Sequence, residues 1–82
     1  MNDDDPRILF GRLLKASRLQ ADMTQEVLAE RVETTQKHIS RTENGLVNLP
    51  IMSCVEFAAG TGKRLVFTFE PIEPDEPGFW LW

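Results

Sequence analysis

His38 is the only histidine in the chain and Cys54 the only cysteine. One histidine gives no multi-histidine metal set and no Ser-His-Asp constellation, and one thiol makes neither an internal disulfide nor a zinc site by itself. Gly60-Thr61-Gly62-Lys63 has the look of a phosphate-binding loop. That loop needs glycine where Phe57 stands, serine or threonine where Arg64 stands, and a preceding strand, so the reading is rejected. The expectation is a non-enzyme with no cofactor, no metal and no small-molecule substrate. Hydrogen-bonding chemistry remains. Gln25, Thr35, Gln36, Lys37, His38, Ser40, Arg41 and Asn44 fall within 20 consecutive positions. Taken alone, such side chains on a helix are ordinarily its solvated face.

The elements that carry them are marked by their ends. Thr24 caps a helix predicted over 25–32, with Val27, Leu28 and Val32 as its apolar stripe. Glu33-Thr34-Thr35 breaks it, and Thr35 caps a third helix over 36–43 that Asn44-Gly45 stops. Upstream, Asp5 as N-cap and Pro6 at the first position open a helix to about residue 19. Phe10, Leu13, Leu14 and Ser17 share one of its faces, while Arg7, Lys15 and Arg18 decorate others. Downstream, Asn48 starts a fourth helix with Pro50 in its first turn; it runs to Ala59, and Gly60 and Gly62 end it. Cys54 packs within it.

The character changes after Gly62. Residues 64–70 alternate with period two, setting Leu65, Phe67 and Phe69 on one face of a strand. A lone strand leaves its backbone groups unpaired, so the simplest partner is the same strand of a second copy. Pro71, Pro74 and Pro77 keep the tail extended, up to the greasy run Phe79-Trp80-Leu81-Trp82.

Eighty-two residues make one small domain, for which dimerisation is a common route to stability. No apolar run approaches the roughly 18 residues of a membrane span, and the acidic N-terminus is unlike a secretory signal; the expectation is a cytoplasmic protein. The net charge of −4 is unevenly spread. Between Arg7 and Arg64, nine cations face six acids, a local +3, and the remaining acids sit at the two ends. Screening beyond about 10 Å lets a modestly basic face act locally.

Three blocks, Phe10-Gly11-x-x-Leu14-Lys15-x-x-Arg18, Met23-Thr24-Gln25-x-x-Leu28-Ala29 and Ile39-Ser40-Arg41-x-Glu43-Asn44-Gly45, resemble the Cro/C1-type (XRE-like) helix-turn-helix family over about residues 8–60. The resemblance implies a mainly α, lambda-repressor-like bundle of four to five helices, to which the C-terminal β-strand adds pairing across a homodimer. It implies that the third helix enters the major groove, with Gln36, Lys37 and Arg41 facing base edges. Glutamine suits adenine, and lysine or arginine suits guanine. Gln25, Thr35, His38, Ser40 and Asn44 become phosphate contacts, and Arg18 with Glu43 a partly buried scaffold pair. Glu33 stands where the family often has glycine, in a left-handed turn, at a cost of about 1 kcal/mol.

Residues 62–69 resemble the C-terminal strand of HipB-like antitoxins of type II toxin-antitoxin systems. That likeness implies a dimer joined through Leu65, Val66, Phe67, Thr68 and Phe69, reading palindromic operator DNA and repressing its own operon. It also implies a cognate toxin, a HipA-type serine/threonine kinase, held through Phe79, Trp80 and Trp82. The expected organisation is a flexible acidic leader (1–5), a DNA-binding domain (6–62), a dimerisation strand (63–70) and a Pro-rich tail (71–82). The alternatives are a stand-alone XRE-type repressor and an adaptor subunit of a kinase-like complex.

Overall fold

Three helices begin where a side chain takes over a backbone N–H that has no partner within the helix. The computed structural model describes residues 5–75, which form α1 (Pro6–Gln20), α2 (Gln25–Arg31), α3 (Gln36–Glu43) and α4 (Ile51–Gly60). The Asp5 carboxylate accepts from the Arg7 backbone N–H at 2.9 Å and from the Arg7 guanidinium. Those bonds, the side-chain one foremost, hold its carboxyl down at about 2. Thr24 and Thr35 cap α2 and α3, each hydroxyl accepting at 3.1 Å from the N–H three residues on.

The fourth helix departs from expectation. It starts at Ile51, with Pro50 as an extended N-cap that makes no side-chain cap bond. Proline disfavours the helical region for the residue before it, which works against a helical Leu49 and a cap at Asn48. At the other end, the helix stops at Gly60 and Gly62 adopts φ +81°.

Leu14, Met23, Leu28, Ala29, Ile39 and Phe57 form the core, with Phe10, Val32 and Leu49 packed against it. Leu28 and Ile39 are fully enclosed, each worth about 1.5–3 kcal/mol of transfer free energy. Two faces differ from the periodicity. The buried face of α1 is Gly11, Leu14 and Arg18, whereas Leu13 points out to solvent. In α2, Val27 is exposed and Ala29 is buried. The reason in α1 is Gly11: a Cβ there would lie 2.4 Å from the Thr42 carbonyl oxygen and 2.8 Å from that of Glu43. A missing side chain lets α3 press onto α1, and this contact decides which face of α1 turns inward.

Beyond Lys63 the chain carries neither helix nor ladder up to a turn at residues 74–75. No strand forms among the described residues. A single chain offers residues 64–70 no second strand, so their backbone groups find none of the ladder partners that pairing between copies would supply. Leu65 is half-buried; Val66, Phe67, Thr68 and Phe69 are exposed. Phe79, Trp80 and Trp82 lie outside the described residues, as does most of the acidic leader. No helix among the described residues is long and apolar enough to cross a membrane.

Candidate nucleic-acid interface

The α3 helix is divided along its length. Ile39, Thr42 and Glu43 face inward, and Gln36, Lys37 and Arg41 are exposed, with Thr35 and Asn44 exposed at its two ends. The one acid of the helix is spoken for. Glu43 accepts from Arg18 Nε at 2.7 Å and Nη2 at 3.0 Å, a bidentate pair with both residues buried. Arg18 gives a further N–H to the Met23 carbonyl at 2.8 Å. The pair expected as scaffold is therefore present, and more buried than expected. Its consequence is electrostatic: both charges that α3 offers to solvent, Lys37 and Arg41, are positive.

Gln25, at the first position of α2, is half-buried. Its amide donates to Glu43 Oε1 at 3.0 Å, and its carbonyl oxygen accepts from Gln36 Nε2 at 3.5 Å. A line of polar groups thus runs from Arg18 in α1, through Glu43 and Gln25, to Gln36 at the outer edge. Lys37 and Arg41 stand beside that edge one helical turn apart, as side chains at i and i+4 must.

The other expected contacts are less uniform. Thr35 uses its hydroxyl oxygen in the cap but keeps an O–H to donate. His38 is not an outer-edge residue: it is half-buried, its ring meeting Phe57 edge-on at 5.7 Å between centroids. Ser40 is also half-buried, and its carbonyl accepts from Asn44 Nδ2 at 2.8 Å, so Asn44 ties down the end of α3. The structure brings Gln25, Thr35, Gln36, Lys37 and Arg41 to one side and turns His38 and Ser40 toward the body. Sequence reasoning missed Phe57 as the support beneath His38; its only signal was an aromatic residue on the apolar face of α4.

The turn that sets the angle between α2 and α3 is strained as expected. Glu33 adopts φ +57°, the left-handed region that favours glycine, and is exposed. A depression beside Gln36 is bordered by Thr24, Thr34, Glu26 and Glu30, so carboxylates flank the edge on the α2 side. Cys54 is half-buried in α4, and burial pushes its thiol pKa up, away from the reactive thiolate. No group of His, Cys, Asp and Glu able to hold a metal occurs among the described residues.

No curated protein matches the sequence. Among solved structures, the chain is similar to the restriction-modification controller protein C.AhdI from Aeromonas hydrophila. The TM-score is 0.69 at 19% identity, over 78% of this chain and 93% of that one. At that identity the likeness shows a shared fold. Residues 9–59 match a family described as a helix-turn-helix domain. That span holds α2, the turn at Glu33, α3 and nearly all of α1 and α4. On that match and on the geometry of its two central helices, the chain belongs to the helix-turn-helix domain family.

Proposed function

We propose that this protein is a dimeric, sequence-specific DNA-binding regulator of transcription, with α3 as its reading helix. The carrying observation is the divided α3: one side locked into the core, the other exposing Gln36, Lys37 and Arg41 with no free carboxylate on the helix. Glutamine can bond the adjacent acceptor and donor of adenine, and lysine or arginine the two acceptors of guanine. The Thr35-capped N-terminus and Gln25 suit flanking phosphates. Two copies joined through residues 64–70 would hold their reading helices about 34 Å apart and read a palindromic operator in successive major grooves.

Selection from a random duplex pool should yield a palindromic site. Replacing Gln36 and Lys37 together by alanine should then cost about 1–3 kcal/mol of discrimination per lost contact. The thermal midpoint should not move, since both side chains are exposed. Unchanged specificity in the double variant refutes the assignment.

The finer reading makes this dimer an antitoxin that represses its own operon and holds a toxin, a HipA-type kinase, through Phe79, Trp80 and Trp82. Its support is the proline-spaced, aromatic character of the tail, since tryptophan and phenylalanine commonly anchor interfaces. A stand-alone regulator is the second reading, favoured by the fold shared with a restriction-modification controller protein. Purification with partners from the native operon separates the two. A co-purifying kinase supports the antitoxin, and a dimer that comes alone supports the regulator.

A further inference from the structure

Residues 64–70 read Arg-Leu-Val-Phe-Thr-Phe-Glu: unlike charges at the two ends, large apolar residues at 65 and 69, and Phe67 at the centre. Arg64 and Glu70 are exposed, and among the described residues neither has an ion-pair partner. They cannot pair with each other along one extended segment, where six steps span roughly 20 Å. Leu65 and Phe67 border a groove of about 220 Å³ whose other walls include Phe10, Leu49, Ile51 and Cys54. Ile51 and Phe67 are 66% and 62% exposed, so the described chain leaves the groove open. Phe69, the next residue on the face of Leu65 and Phe67, lines none of it and is wholly exposed.

Two-fold symmetry restricts how two such segments can pair. In an antiparallel ladder about an axis perpendicular to the sheet, opposed side chains share a face, so registers differ by slides of two residues. Only the register that sets Phe67 against itself on the axis puts Arg64 across from Glu70, and it does so at both ends. The same register sets Leu65 across from the partner's Phe69, and Val66 across from the partner's Thr68. A slide of two residues sets Arg64 against Thr68 or Ile72, and both charge pairs are lost. Opposed unlike charges and aromatic–apolar pairs are the stabilising units of a ladder.

Given a dimer joined through this arm, as the DNA-binding reading requires, we propose that the two copies pair residues 64–70 antiparallel about Phe67, and that each copy's Phe69 closes the other's groove beside Cys54. The groove is completed in trans. Its own chain supplies Leu65 and Phe67, and the partner supplies the next aromatic ring. A fixed register also fixes the distance between the two α3 helices, on which half-site spacing depends.

Sedimentation of full-length charge variants tests the register. Arg64→Glu and Glu70→Arg each oppose like charges at both ends, and each should weaken self-association about tenfold at low salt. Mixed in equal amounts, the two variants should associate at least as tightly as wild type, because the mixed pair restores unlike charges at both ends. In a Cys54→Ala background, Val66→Cys mixed with Thr68→Cys should give more disulfide-linked dimer than either alone. In the wild type, Cys54 is the only thiol, and its reaction with a maleimide should slow severalfold as concentration rises through the dimer range. Charge variants that stay apart when mixed overturn the register, as does a Val66→Cys homodimer linked as readily as the mixed one. Cys54 labelling that ignores concentration, in a protein that does dimerise, overturns the seating of Phe69. A wild type that stays monomeric throughout removes the dimer itself, and the proposal with it.

Discussion

Ile39 in α3 is fully enclosed, while Phe69 in the C-terminal arm is wholly exposed, although both are large apolar residues in segments of clear periodicity. The contrast extends to their neighbourhoods. Up to Thr61 the chain has caps on three helices, a closed core, and a buried ion pair whose polar atoms all have partners, although Leu13, Ile51 and Met52 lie open on its surface. Over the described residues 64–75, Val66, Phe67 and Phe69 lie open and the backbone has no ladder. Periodicity states which side chains want cover; it does not state whether the cover belongs to the same chain. The core and the ion pair of the first region can be understood from one copy. The second cannot.

The comparison is broken first at its strongest point. Glu43→Ala leaves the buried Arg18 guanidinium uncompensated, which should cost about 3–5 kcal/mol in urea unfolding. Replacing both partners by leucine and methionine should recover most of the loss, and failure to recover would show that the pair does more than balance charge. A smaller effect of opposite sign is expected at the α2–α3 turn. Glu33→Gly relieves the left-handed strain and should stabilise by about 1 kcal/mol. It should also raise DNA affinity, by removing a carboxylate near the reading edge. A destabilised variant would mean that Glu33 makes a contact its exposure does not suggest. The smallest stability effect belongs to the arm. Phe67→Ser with Phe69→Ser should leave monomer unfolding unchanged while lowering the dimer fraction in sedimentation. A fall in monomer stability would erase the division between the two regions.

Much of the body was legible because its signals are local. Asp5, Thr24 and Thr35 cap where their types predict, and Glu33 holds the left-handed turn that the motif requires. Contacts distant in sequence were harder to see. The inward turn of His38 depends on Phe57, 19 positions on. The buried face of α1 depends on Gly11, a residue no hydrophobicity pattern weighs, meeting the backbone of α3. The late start of α4 was local and could have been read, since Pro50 disfavours a helical Leu49. The exposure of Gln36, Lys37 and Arg41 on one side of α3 was legible by position. Ser40 and His38 were displaced inward because an eight-residue helix wedged between two others has little outer surface to share.

The polar line from Arg18 through Glu43 and Gln25 has a kinetic meaning as well. It fastens the end of α3 to α1 and the start of α3 to α2. A helix held at both ends has little freedom left to surrender when it meets a duplex, so association need not wait for it to find its pose. Selection for a new operator would then act more readily by exchanging the side chains at 36, 37 and 41 than by tilting the helix that carries them.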